Sequence, residues 1–230
     1  MNRRAWLAEG IGTGFLVTAV VGSGIMGERL AGGNVAVALL ANTVATGAAL
    51  VALILTFAPI SGAHFNPVVT GVSLLNKSMS AASAGIFIVA QVGGALLGTV
   101  VAHLMFDLPV LSLSTHIRSG GSQAFSEFIA TFGLVSVILS CGRFRPAAVP
   151  VAVAAYITAA YWFTASTSFA NPAVTLARAL TDTFAGIRPA DVPVFVLAQI
   201  CGGGAAWAVM RAVMPDAVPA AESAEKSGAF

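Results

Sequence analysis

Charged residues are scarce in this chain of 230 residues, because Asp, Glu, Lys and Arg together make up only 9% of it. Soluble domains average about 25% charged residues. Six long runs carry no formal charge at all: 10–27, 30–76, 78–106, 128–142, 146–177 and 192–210. A soluble helical protein needs a charged outer face on its helices, and these runs have none. The composition therefore excludes a soluble helical bundle and predicts a membrane protein.

The residue types that carry catalysis, metal binding or nucleic-acid binding are also few. Cys141 and Cys201 show no CxxC spacing, which favours small packing residues over a disulfide or a metal pair. The three histidines are too scattered for a metal site, and no phosphate-binding loop is present. A net charge of +2 without a basic cluster excludes nucleic acid as a partner. We therefore expect no enzymatic activity, no cofactor and no bound metal.

The chain contains long apolar segments instead. A helix that crosses a membrane needs about 20 apolar residues. We predict six full crossings, at 5–27, 34–58, 81–106, 123–141, 147–165 and 192–213, and two surplus segments, at 66–76 and 171–180. With the N-terminus inside, seven of the 11 Lys and Arg residues fall on the cytoplasmic side. This predicts a multi-pass protein of the inner (plasma) membrane with both termini in the cytoplasm. The polar residues 215–230 are predicted to form a disordered cytoplasmic tail.

Each surplus segment begins with a copy of one short pattern, and the copies lie 105 residues apart: Asn66-Pro67-Val68 and Asn171-Pro172-Ala173. Asn is suited to cap a helix, and Pro is suited to the first helical position, where its missing N–H is no loss. About ten residues at 1.5 Å each reach roughly 15 Å, or half of the hydrocarbon thickness. Both segments are therefore predicted to be half-helices that do not cross the membrane.

The two halves of the chain are related by duplication. Glu9 matches Glu127 at a separation of 118, and residues 90–94 match residues 198–202 at a separation of 108. Each half contains three crossings, an odd number, so the second half enters the membrane inverted relative to the first. We predict a single channel domain over 1–214 that consists of two repeats, at about 5–110 and about 120–214.

The inversion brings the half-helices in from opposite faces, so that their N-termini meet near the midplane. The loops that precede them, 61–65 and 167–170, then pass through membrane depth without helical hydrogen bonds. Such backbone is tolerated only where it lines a water-filled cavity or is buried in protein. The pattern therefore predicts a pore.

Residues 60–70 read ISGAHFNPVVT, close to the SGxHxNPAVT signature of one family, and Asn171-Pro172-Ala173 supplies its second motif. Over about residues 5–213 the chain resembles this major intrinsic protein family, the aquaporins and aquaglyceroporins. The resemblance implies an all-α membrane protein of six transmembrane helices and two half-helices in an inverted repeat, the aquaporin-like fold. It also implies a homotetramer in the lipid bilayer, with one pore per subunit for water and small neutral solutes.

The resemblance assigns roles to five residues of the pore region. Asn66 and Asn171 cap the half-helices and direct an amide N–H into the lumen to hold the oxygen of a passing solute. The two helix N-termini add positive partial charge at the same point, which repels cations. Glu9 and Glu127 are interpreted as buried carboxylates that brace the loops, rather than as solute-binding groups. His64 is interpreted as a support of the first loop.

The family has a second constriction nearer the outer face. Counting from the two Asn residues, its four positions are predicted to be Thr46, Ala159, Ser168 and Val174. Family members place aromatic, His or Arg side chains there, and this chain has none at these positions. A wide constriction without a fixed charge suits a bulkier neutral solute: glycerol, urea, or a metalloid hydroxide such as arsenous acid. The run 168–178 also resembles bacterial members associated with arsenic handling, which favours arsenite.

Several alternatives are open from the sequence. Arg178 lies one helical turn beyond Val174, where it either satisfies carbonyl groups at the half-helix C-terminus or acts as a displaced cation in the vestibule.

An inverted-repeat secondary transporter is a competing function, with Glu9 and Glu127 as the available titratable groups. A closed, structural member of the family is another.

We expect Val174→Arg to reduce the flux of glycerol and arsenous acid by about tenfold, equivalent to roughly 1.4 kcal/mol of added barrier. The reason is that an arginine both narrows the constriction and adds a fixed charge to it. Stopped-flow light scattering on proteoliposomes measures these fluxes beside that of water. An unchanged ratio of solute flux to water flux in the variant would show that other residues set the width.

Overall fold

The computed structural model describes residues 3–214, and the tail predicted at 215–230 lies outside the described residues. Within this range the chain is helical and contains no strand. Its α-helices, in chain order, are α1 (Arg3–Leu30), α2 (Val35–Ser61), α3 (Pro67–Leu75), α4 (Ala81–Met105), α5 (Gly121–Phe144), α6 (Val149–Phe163), α7 (Pro172–Arg178) and α8 (Val192–Val213). Short 3-10 turns, Pro146–Ala148 and Pro189–Asp191, lead directly into α6 and α8.

Six helices of the described range are long and apolar enough to cross a membrane: α1, α2, α4, α5, and α6 and α8 with their leading 3-10 turns. The predicted number and order of crossings are therefore confirmed. The end of α2 differs, because the helix continues through Pro59 to Ser61 instead of ending at residue 58. It ends where Gly62 adopts a left-handed conformation, with φ of 89°, and its N–H donates to the carbonyl of Ala58 at 3.0 Å.

The two half-helices begin at the predicted caps. The Asn66 side chain accepts a hydrogen bond from the N–H of Val68 at 2.9 Å, and the Asn171 side chain accepts one from the N–H of Ala173 at 3.0 Å. Pro67 and Pro172 occupy the first helical positions. With 9 and 7 residues, α3 and α7 reach about 13 and about 10 Å, well short of a crossing.

The helices pack in two matching sets. In the first repeat α1 packs against α2 and α4, in the second α5 packs against α6 and α8, and α2 meets α6 between them. Glycines allow the closest approaches: a Cβ built on Gly94 would overlap the carbonyl oxygen of Gly10, and one on Gly202 would overlap that of Phe128. Gly94 and Gly202 are 108 residues apart, so both repeats use the same device at the same position.

We expect Gly94→Ala to destabilise the protein by roughly 1–3 kcal/mol, because the added methyl group forces α1 and α4 apart. The neighbouring Gly93 is a matched control, since a Cβ there meets nothing within 4 Å. Thermal unfolding of both variants in the same detergent measures the difference. Equal midpoints for Gly93→Ala and Gly94→Ala would contradict the close helix contact.

Candidate functional site

The N-terminal ends of α3 and α7 meet, and two reciprocal hydrogen bonds join them. The Asn66 side-chain amide donates to the carbonyl of Ala170 at 2.7 Å, and the Asn171 amide donates to the carbonyl of Phe65 at 2.7 Å. Each amide has a second N–H, and both Asn residues line the central cavity. The positive ends of two helix dipoles therefore converge beside the amide groups predicted to hold a solute.

The loops that lead into the half-helices have the same unusual backbone. Residues in the left-handed region occur at matching positions 105 apart: Gly62, Ala63 and Phe65 in the first loop, and Thr167, Ser168 and Ala170 in the second. The five residues other than glycine have φ between 49° and 61°, a conformation that costs about 1–3 kcal/mol per residue. Such backbone persists only where surrounding groups hold it in place.

A buried carboxylate holds the first loop. Glu9 of α1 is fully buried, and its carboxylate accepts hydrogen bonds from the N–H groups of His64 at 3.0 Å and Phe65 at 2.7 Å. The same carboxylate accepts from the Ser61 hydroxyl at 2.6 Å and from the Gln91 amide at 2.8 Å. These are the contacts that the predicted brace requires.

The second loop is held in the same way from α5. The carboxylate of Glu127 accepts from the N–H groups of Phe169 at 2.9 Å and Ala170 at 2.8 Å, and from the Gln199 amide at 2.6 Å. Gln199 also donates to Thr175 of α7 at 2.9 Å, as Gln91 donates to Thr70 of α3 at the same distance. The duplicated Glu, Gln and Thr residues thus form one network in each repeat.

His64 and Val68 occupy the first loop and the start of α3. The His64 ring lies 3.1 Å from the Thr70 hydroxyl through Nδ1 and 3.4 Å from the Ser73 hydroxyl through Nε2, and it also lines the cavity. Val68 fills the space above Gly203 of α8, where a Cβ would overlap its side chain. The extra methyl groups of Val68, compared with the Ala of the family motif, are therefore used in packing.

The cavity between the repeats has a volume of about 210 Å³. Asn66, Asn171 and residues of the two loops line it together with apolar side chains of four helices: Leu16, Leu50, Ile54, Leu134, Ile138 and Val153. A few polar groups among apolar side chains orient a small solute, and they offer few hydrogen bonds to water molecules that enter together.

Three of the four predicted constriction residues line this cavity: Thr46, Ser168 and Val174. The fourth prediction, Ala159, is wrong, because its side chain is exposed on the outer surface of α6. Tyr161 lines the cavity in its place, and its hydroxyl donates to Thr46 Oγ1 at 3.3 Å. Residues two apart on a helix point in nearly opposite directions, so Ala159 and Tyr161 do not share a face.

The spacing of inward residues on α6 is the signal that identifies Tyr161. Val153, Ile157 and Tyr161 recur every four residues, and all three line the cavity. Counting twelve residues back from Asn171 misses this face. Near Thr46 the cavity lining therefore includes an aromatic side chain that the counting did not predict.

Two further polar groups face the same end of the cavity. The Ser168 hydroxyl is buried and has no hydrogen-bond partner within residues 3–214. Arg178 lines the cavity with only 2% of its surface exposed, and its guanidinium carbon lies 3.3 Å from the centre of the Phe169 ring. Its Nε–H donates to the carbonyl of Ala185 in the following loop, rather than to the last carbonyl groups of α7.

Comparison with known proteins decides the family. The family model described as Major intrinsic protein matches residues 1–145. The chain is 54% identical over 216 residues to "Aquaglyceroporin AqpS" of Rhizobium meliloti (strain 1021), which covers 94% of this chain and 92% of that protein. The chain belongs to the major intrinsic protein family.

Other members of the major intrinsic protein family are similar at lower identity. The chain is 32% identical over 197 residues to "Aquaporin TIP1-2" of Musa acuminata, with 78% of this chain and 75% of that protein covered. The X-ray structure of the aquaglyceroporin from Plasmodium falciparum has the same fold, with a TM-score of 0.70 at 20% identity over 93% of this chain and 97% of that one. Like the family, the protein is a multi-pass membrane channel for small solutes.

We expect Glu9→Ala to abolish solute flux and to destabilise this major intrinsic protein strongly, since each buried donor left unsatisfied costs about 1–3 kcal/mol. Glu28→Ala is a matched control on the same helix, because Glu28 is exposed. Thermal unfolding in detergent and glycerol flux in proteoliposomes provide the two readouts. A Glu9→Ala variant as stable as Glu28→Ala would contradict the bracing role.

Proposed function

We propose that the protein is a passive, aquaglyceroporin-like channel that conducts glycerol and metalloid hydroxides such as arsenous acid as well as water. The observation that carries the proposal is the cavity itself, in which Asn66, Asn171 and Ser168 face an apolar wall. A neutral solute with several hydroxyl groups can exchange hydrogen bonds along the polar line while its carbon or metalloid face contacts the apolar wall.

The residues around Tyr161 support a solute larger than water. Thr46, Tyr161 and Ser168 line the cavity with three hydroxyl groups, and Val174 adds no polar group. The Tyr161 hydroxyl donates to Thr46, so the Thr46 and Ser168 hydroxyl groups are the ones free to donate to a solute. Hydroxyl groups of this kind match the hydroxyl groups of glycerol or arsenous acid. The Tyr161 ring gives the constriction one large wall, so its width is set by this side chain and not only by small residues.

The proposed location and assembly follow from the surface. Large apolar side chains are exposed on the outer faces of several helices, among them Phe15, Leu40, Val89, Phe125 and Leu197. We propose that lipid and neighbouring subunits of a homotetramer cover these faces in the plasma membrane. In this orientation both termini lie in the cytoplasm, and the Arg178 end of the cavity faces outward.

Two observations favour a channel over the competing functions. Glu9 and Glu127 are fully buried, and both carboxylates are occupied by loop amides, so neither is free to couple an ion to transport. One cavity is also lined both by Ser73, near the C-terminal end of α3, and by Arg178, at the C-terminal end of α7. This arrangement favours passage over a closed structural role, which the flux measurement below tests directly.

The test is the flux of water, glycerol and arsenous acid into proteoliposomes for the wild type, Tyr161→Ala and Ala159→Phe. We expect Tyr161→Ala to raise glycerol flux by about threefold or more, equivalent to roughly 0.7 kcal/mol off the barrier, because the ring narrows the path. Ala159→Phe should change nothing, since residue 159 faces away from the cavity.

Each outcome of this measurement has a definite meaning. Glycerol flux without arsenous acid flux in the wild type would remove the metalloid from the proposal. Water flux alone, or no flux at all, would contradict the aquaglyceroporin-like function. If glycerol flux changes in Ala159→Phe and not in Tyr161→Ala, then residue 159, and not residue 161, lines the constriction.

A further inference from the structure

The two ends of the cavity carry different side chains at equivalent positions of the repeat. Ser73 and Arg178 each lie seven residues after the capping Asn of their half-helix, and both line the cavity. Each also contacts the residue two positions before that Asn: Ser73 lies against the His64 ring, and Arg178 lies over the Phe169 ring. The duplication thus brings this position to the lumen in both repeats, with a hydroxyl at one end and a cation at the other.

Arg178 forms no ion pair with a carboxylate of the described residues. The ion pair between Arg188 and Asp191, at 2.8 Å, does not include it. Asp191 also accepts the N–H of Arg118 at 2.8 Å. The Glu127 carboxylate is turned toward the amides of the second loop.

A second arginine adds positive charge beside the same ring. The Arg118 guanidinium carbon lies 5.0 Å from the centre of the Phe169 ring. Arg118 is committed to the surrounding loops, because it donates to the carbonyl of Gly186 at 2.8 Å and to that of Ser166 at 3.3 Å. It is not among the residues that line the cavity. Arg178 is therefore the arginine that presents its charge to a solute.

The guanidinium of Arg178 also has hydrogen-bond donors that no protein group accepts within the described residues. Its flat face rests on the Phe169 ring, and its Nε–H is used by Ala185, but its two Nη groups make no hydrogen bond within the described residues. Stacking on an aromatic ring fixes the plane of a guanidinium and leaves its edge available for hydrogen bonds. A purely structural arginine at this depth would be expected to use those edge donors on backbone carbonyl groups.

We propose that Arg178 is the charge-selectivity residue of this pore, a fixed cation that excludes protons and metal cations in place of the arginine absent from position 174. It lies one helical turn beyond Val174 on the same half-helix, and both residues line the same cavity. This inference rests on the proposed channel function. It assigns exclusion of cations to a side chain in addition to the helix N-termini at Asn66 and Asn171.

The experiment compares Arg178→Gln and Arg178→Lys with the wild type in proteoliposomes. A pH-sensitive dye reports proton flux, a K⁺ gradient reports cation leak, and light scattering reports glycerol flux in the same vesicles. We expect Arg178→Gln to raise proton and K⁺ flux by about tenfold, the effect of roughly 1.4 kcal/mol off a barrier. Measurable glycerol flux in the same vesicles shows that the variant is folded and open. Arg178→Lys should stay close to the wild type, because it keeps the charge.

Arg188→Gln is the matched control, because Arg188 follows the same half-helix, is partly exposed and is paired with Asp191. It should leave all three fluxes unchanged. A folded, glycerol-conducting Arg178→Gln variant that leaks no more than Arg188→Gln would overturn the proposal. Absence of glycerol flux in the wild type is a different result, since it contradicts the channel function before Arg178 is considered.

If Arg178→Gln does not fold, a second pair of variants tests whether the charge of Arg178 controls the passage of cations. Val174→Glu places a carboxylate four residues before Arg178, where it neutralises the charge without removing the side chain. Val174→Gln is the uncharged variant of equal size. We expect greater proton and K⁺ flux in Val174→Glu than in Val174→Gln. Equal leaks in the two variants would show that the charge of Arg178 does not control cation passage.

Discussion

The irregular loops before the two half-helices have backbone N–H groups without helical partners, and the acceptors that the structure supplies for them are the carboxylates of Glu9 and Glu127. Each carboxylate bonds two consecutive loop N–H groups and a glutamine amide. Without these acceptors, irregular backbone in the hydrocarbon region costs several kcal/mol per group. The two loops therefore keep their irregular shape because each has a buried glutamate side chain that accepts its N–H groups.

The repeat separates framework positions from positions that set specificity. The Glu–Gln–Thr network, the Asn caps and the left-handed backbone residues are duplicated almost without change. Two positions beside each loop differ between the repeats. The first repeat has His64 where the second has Phe169, and it has Ser73 where the second has Arg178. A symmetric scaffold thus carries an asymmetric lining, and the two mouths of the pore present different chemistry to a solute.

Features that depend on composition or on local capping could be predicted from the sequence. The charge-free runs locate six crossings, and the Asn-Pro copies locate both half-helices within a few residues. The predicted end of α2 at residue 58 differs from the structure, in which the helix continues through Pro59 and ends at Gly62. Such an end depends on a backbone conformation that only the three-dimensional structure displays.

The constriction was harder to predict because it depends on distance through space. Counting along the chain assumes a fixed loop length between α6 and α7, and one wrong length moves the prediction from Tyr161 to Ala159, on the opposite face of the helix. The reach of Arg178 into the cavity likewise follows from its packing on Phe169, which no spacing rule contains. Which residue of α6 lines the cavity depends on how α6 packs against α2, and this packing is not displayed by the sequence.

The reciprocal bonds between the half-helices also constrain how the protein is made. The carbonyl of Phe65 is bonded by Asn171, which lies 106 residues further along the chain. During synthesis the first half enters the membrane long before that partner has been translated. Until then the carbonyl of Phe65 lacks the hydrogen-bond partner that it has in the complete structure. The contact between the half-helices therefore forms only after both repeats have been synthesised.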